Sequence, residues 1–127
     1  MQIRHNPAGR EPATYTHGIE VGGEGRTLYI SGQIGIDADG NIPKDIEAQS
    51  NAVFDNLKAV LHEAGMTFEH LVKTTVFLTD RDYFRTFAAV RQAHLGSAKP
   101  ASTLVIVSGL VHPDLLVEVE AIATANS

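Results

Sequence analysis

The chain has 127 residues, 43% of them hydrophobic and 20% charged, with a formal charge of −5 and no cysteine. That size and composition fit one soluble domain over residues 1–127 rather than a disordered chain, and the missing cysteine excludes thiol catalysis, disulfides and thiolate metal sites. No basic run offers a face to phosphate, no apolar run nears the roughly 20 residues that span a bilayer, and no apolar leader opens the chain, so neither nucleic acid nor membrane is an expected partner and a cytoplasmic location is the expectation.

Residues 1–14 are polar, contain two prolines, and read as an irregular arm. Thr16–Val21 alternates weakly, GGEG turns the chain, and Thr27–Ser31 is β-branched and aromatic, so the two segments predict a β-hairpin. DADGN at Asp37–Asn41 carries a turn signal. The clearest helix runs from Ile46 to Ala64. Ile46, Val53, Leu57, Val60, Leu61 and Ala64 form one stripe at spacings of three and four, with Asp45 placed to cap it and Gly65 placed to end it. Leu71–Leu78 predicts a strand buried on much of both faces. Asp80 is placed to cap a second helix through about Leu95, whose apolar side holds Tyr83, Phe84, Phe87, Ala88 and Val90, and Gly96 ends it. Thr103–Val107 and Leu115–Ala123 predict the last two strands, with a hairpin available to them.

The order β-β-α-β-α-β-β implies an α+β domain: a two-layer mixed β-sheet with two helices on one face. The other sheet face still carries apolar residues. An uncovered apolar face of that kind is normally a partner surface, so association with other copies is expected.

Few motifs stand alone. DADGN resembles the start of a Ca²⁺ loop, but the twelfth position, where a bidentate glutamate belongs, is Ala48. GGEG is not a dinucleotide fingerprint. The six histidines show no ligand spacing; His62 and His94 sit near helix C-termini, where a cation is favourable, and His112 lies in a loop before Pro113. Glu118 and Glu120 share one face of the last strand, about 7 Å apart. A solvated face explains both; a general acid or base would need one of them partly desolvated.

Taken together, SGQI at Ser31–Ile34, DIEAQSNAVFDNLKAVLHEAG at Asp45–Gly65, LVKTTVFLTD at Leu71–Asp80 and LVEVEAIA at Leu116–Ala123 resemble the reactive intermediate deaminase family, also called Rid, YjgF or RutC-like. The resemblance covers nearly the whole chain from about Tyr15. It implies a chorismate-mutase-like (YjgF-like) fold assembled as a homotrimer, with small-molecule clefts between subunits. It implies hydrolysis of 2-aminoacrylate and related enamines or imines to 2-oxo acids and ammonia, with no metal or organic cofactor. Residue by residue, Gly32 matches the cleft glycine whose backbone contacts ligand. Tyr15 matches a cleft tyrosine, although Ala13-Thr14 precede it here. Glu118 matches the glutamate that positions water or relays a proton, leaving Glu120 as its structural partner.

One position departs from the pattern. Where the family writes Pro-Ala-Arg-Ser, this chain writes Pro100-Ala101-Ser102-Thr103, so Ser102 stands where an arginine fork would hold a substrate carboxylate. A hydroxyl donates one hydrogen bond and neutralises nothing; a charge-assisted bond is worth about 1.5–3 kcal/mol. Arg91 on the second helix, or Lys99 before Pro100, is placed to supply the cation; a solvent-facing helical arginine is the plainer account of Arg91. Three functions follow: a hydrolytic deaminase with Glu118 handling water, a non-catalytic trimer that binds a small metabolite, and, against the acidic charge, a ribonuclease.

Overall fold

A computed structural model describes residues 1–9 and 11–126. Among the described residues six strands form, β1 Gln2–His5, β2 Gly18–Val21, β3 Arg26–Ile34, β4 Leu71–Leu78, β5 Ala101–Ile106 and β6 Val117–Ala125, with two α-helices, α1 Ile46–Glu63 and α2 Phe84–Leu95. Four strands make the main sheet, in the order β3-β6-β4-β5. β6 runs antiparallel to both β3 and β4, and β4 runs parallel to β5. The α+β reading holds: α1 carries the chain from β3 to its parallel relative β4, and α2 carries it from β4 to β5.

Pairing differs from expectation in three places. The first 14 residues are not wholly irregular, because Gln2–His5 is a strand. It pairs antiparallel with β2, so the expected hairpin between Thr16–Val21 and Thr27–Ser31 does not form. The last two strands form no hairpin either. The cause lies in β6, where Val117, Val119, Ala121 and Ala123 are buried at every second position. A strand that buries one whole face and hydrogen-bonds on both edges belongs in the centre of a sheet. β6 therefore inserts between β3 and β4, taking the edge of β3 that β2 would have used and leaving β5 to pair with β4.

Local chemistry sets the helix ends. Asp45 is extended (φ −113°) and accepts the amide of Ala48 at 2.8 Å, satisfying one of the free N–H groups of the first turn of α1. Gly65 follows the helix at φ +70°, a conformation that costs other residues energy. Asp80 caps a 3₁₀ turn, Arg81–Tyr83, rather than the helix itself, and α2 begins one residue later. Of the predicted apolar stripe of α1, Val53, Leu57 and Leu61 are buried against the sheet, and Phe54, outside that stripe, is buried with them. Phe54 also meets Phe87 of α2 at 5.7 Å between ring centres, and His94 stacks on Phe54 at 5.3 Å. His94 Nε2 lies 2.8 Å from Asn51 Oδ1, which ties the two helices together. Phe84, expected on the apolar side of α2, is 44% exposed, because the helix starts there and turns it outward.

The sheet face opposite the helices is open. Tyr29 is 76% exposed on it and Val105 40%, with Phe77 and Ile122 half-buried beside them. Among the described residues no helix is long and apolar enough to cross a membrane.

Candidate functional site

Gly32 lies where β3 breaks register. Ile30 pairs with Ala121 and Gln33 with Val119, so Ser31 and Gly32 together oppose Glu120 alone. Such a bulge leaves a residue out of the ladder and re-aims the chain. The carboxylate of Glu118 lies across the gap: a Cβ built on Gly32 would stand 1.8 Å from Glu118 Oε2 and 2.7 Å from its Cδ. Only glycine admits that approach. Glu118 is half-buried between Val117 and Val119, whereas Glu120 is exposed. The two carboxylates share a face, as their spacing implies, but their environments differ, and only Glu118 has the partly desolvated setting that acid–base work requires.

Ser102 lies elsewhere. It pairs with Thr74, and Thr74 Oγ1 donates to Ser102 Oγ at 3.0 Å. Thr74 alternates with buried Val76 and Leu78, so this hydroxyl pair lies on the helix-covered side of the sheet. The arm docks on the same edge. Thr16 is 1% exposed and forms a parallel bridge to Ala101; its amide donates to Pro100 O at 3.1 Å, and its hydroxyl donates to Lys99 O. Tyr15, one residue before this anchor, is thereby held beside the start of β5, 37% exposed, with its ring edge-on to His17 at 5.5 Å.

Four of the five candidates thus form two groups. Gly32 and Glu118 sit at the β3–β6 boundary on the open face. Ser102 and Tyr15 sit at the β5 edge. Glu118 pairs with Phe77 and Ser102 with Thr74, two strands over and three residues along. Strand spacing and rise put their Cα atoms about 14 Å apart. Arg91 joins neither group in any described contact. Its guanidinium carbon stands 5.6 Å above the Phe87 ring, and burial lowers its pKa from the usual arginine value. His112 stays within its own loop, its Nδ1 accepting the amide of Asp114 at 3.1 Å. The Asp37 carboxylate is occupied by the amides of Asp39 and Asn41, as a turn requires.

Sequence reasoning missed Thr16, Thr74 and Gln49, all buried and polar. A polar residue on the apolar stripe of α1 was the available signal for Gln49. Two cavities along the outer face of α1, of about 430 Å³ beside Lys58, His62 and Phe68 and about 660 Å³ beside Asp37, Asn51 and Asn56, include none of the five candidates.

Solved structures share this fold. A Rid family protein of Yersinia pestis, titled as one of unknown function, matches with a TM-score of 0.85 at 30% identity, covering 98% of each chain. The chain is therefore a YjgF-like α+β protein. Within that class it belongs to the family described as Endoribonuclease L-PSP, whose sequence pattern matches residues 7–125, and which takes in the Rid and RutC proteins. A RutC family protein of Pyrococcus abyssi is 41% identical over 111 residues, 86% of this chain and 84% of that protein. The Escherichia coli 2-iminobutanoate/2-iminopropanoate deaminase is 35% identical over 113 residues, 86% of this chain and 85% of that protein.

Proposed function

We propose that the chain is a hydrolytic deaminase of a small imine or enamine, working in clefts between the subunits of a homotrimer. The separation of the two residue groups carries this reading. One small ligand does not reach both Glu118 and Ser102 across about 14 Å and through a sheet. Two chains side by side offer each other what either lacks: the Gly32–Glu118 crossing from one, the Tyr15–Ser102 edge from the next. The open face with exposed Tyr29 and Val105 supplies apolar surface for that assembly.

In such a cleft Glu118 accepts a proton from water as the oxygen attacks the C=N carbon. The carbinolamine that forms takes that proton back from Glu118 at nitrogen and expels ammonia as its hydroxyl gives up its proton to the freed carboxylate and the C=O bond closes, leaving a 2-oxo product. Gly32 leaves room for the carboxylate at the bulge. Ser102, polarised by the Thr74 hydroxyl, donates to a ligand oxygen. The named activity of the E. coli relative supports the reaction class. It is tested by ammonia release from 2-iminopropanoate generated in place: the wild type accelerates release above the spontaneous rate, and Glu118→Gln does not. A wild type no faster than the spontaneous reaction would sink the proposal.

A second reading, a trimer that binds a metabolite without turnover, draws on the uncharged Ser102–Thr74 pair where a carboxylate anchor would sit. Thermal stabilisation by a ligand that is recovered unchanged would favour it. RNA cleavage fits poorly with a charge of −5.

A further inference from the structure

We infer that Gln49, whose hydrogen bonds at Pro43, Asp114 and Leu116 involve no candidate residue, is a positioning residue that sets where the Glu118 carboxylate lies over Gly32. This rests on the hydrolase reading above for its catalytic consequence. Gln49 is fully buried on the fourth residue of α1. Its Nε2 donates to Pro43 O and to Asp114 O, each at 2.8 Å, and its Oε1 accepts the amide of Leu116 at 2.8 Å. Asp114 O and Leu116 N are two residues apart, the spacing at which a neighbouring strand would pair with both. One side chain thus stands in for a strand at the turn that leads into β6. The far side of Leu116 is held as well, since its carbonyl accepts the amide of Thr79 at 3.1 Å.

The latch also grips the exit of β3. A Cβ on Gly35 would lie 2.7 Å from Gln49 Cβ and 2.8 Å from its Oε1, so Gly35 is the space the glutamine occupies. Gly35 is three residues past Gly32, and Glu118 two residues past Leu116. Between those points the two strands pair directly, Ile34 with Glu118 and Gln33 with Val119. Asn56 assists from the same helix, donating to Ile34 O at 3.1 Å and Ile36 O at 2.9 Å. Gln49 therefore fixes both strands at the end nearest the crossing. A slip of β6 there displaces the carboxylate while leaving the rest of the ladder paired.

Gln49→Met tests this, because it keeps the stem and length and removes all three bonds. With 2-iminopropanoate, kcat falls about 10–100-fold while KM stays within about threefold, as displacement of a reacting group by a fraction of an ångström requires. The Gly32 amide and Glu118 carboxyl carbon signals in the NMR spectrum shift at constant pH. Val53→Ala, a core change on the same helix, is the control: at matched loss of Tm it leaves kcat and both signals in place. If Gln49→Met is too unstable to purify, Gly35→Ala displaces the same amide and is held to the same outcomes. A kcat no lower than that of the control, with both signals unmoved, overturns the inference. A wild type without activity refutes the hydrolase reading instead, and the two signals still decide whether Gln49 positions Glu118.

Discussion

The β3–β6 crossing and the β5 edge are built on opposite plans. At the crossing, two central strands meet with a bulge, a glycine and a half-buried carboxylate, and helix side chains reach across to hold the strand ends. At the β5 edge, an N-terminal segment is pinned by Thr16, and hydroxyls replace charge. The first region sets one half-buried carboxylate against the Gly32 backbone. The second presents small donors at a sheet margin with a neighbouring tyrosine. If the proposed hydrolase reading holds, the difference teaches that chemistry and ligand choice are separable: the crossing would carry the reacting group, and the edge the contacts that select what enters.

Substitutions break this division in order of expected effect. Glu118→Gln should lower kcat by about 10²–10⁴, the usual contribution of a positioned acid–base group, with little change in Tm. Gly32→Ala should follow at about 10², because the new Cβ forces the carboxylate from its position. Its stability cost should be small, because the clashing atom is the end of a flexible side chain. Steady-state kinetics beside thermal melts measure both. Ser102→Arg should act on the other region alone, lowering KM for a carboxylate-bearing imine about tenfold at nearly unchanged kcat, since a charge-assisted bond of about 1.5–3 kcal/mol is gained. An unchanged KM would remove Ser102 from the ligand's path. Thr74→Val should cost about 1 kcal/mol of stability by denaturant melt, through one lost hydrogen bond, and barely alter turnover.

Much of this was legible in the sequence, and the failures share a cause. Period and capping gave α1 almost to the residue, because the stripe from Ile46 to Ala64 and the Asp45 cap are local signals. Leu71–Leu78 emerged with the predicted bounds. Strand pairing did not, because adjacency in sequence favours hairpins while burial decides adjacency in space; alternation in β6 marked a half-buried strand but not that both edges would be used. The Gly32–Glu118 encounter was available only through family resemblance, since 86 residues separate the two and a bulge has no pattern of its own. Arg91 stood out as a replacement cation by its type alone, and its guanidinium packs over the Phe87 ring within the chain.

The most direct test of a cleft shared by two chains is complementation. Glu118→Gln removes the reacting group from one region, and Ser102→Trp blocks the other. Each variant alone should be inactive. Trimers reassembled from an equimolar mixture should regain about one quarter of wild-type ammonia release, because one interface in four then joins an intact crossing to an intact edge. Activity no greater than the sum of the separate variants, in trimers shown to contain both chains, would contradict the account.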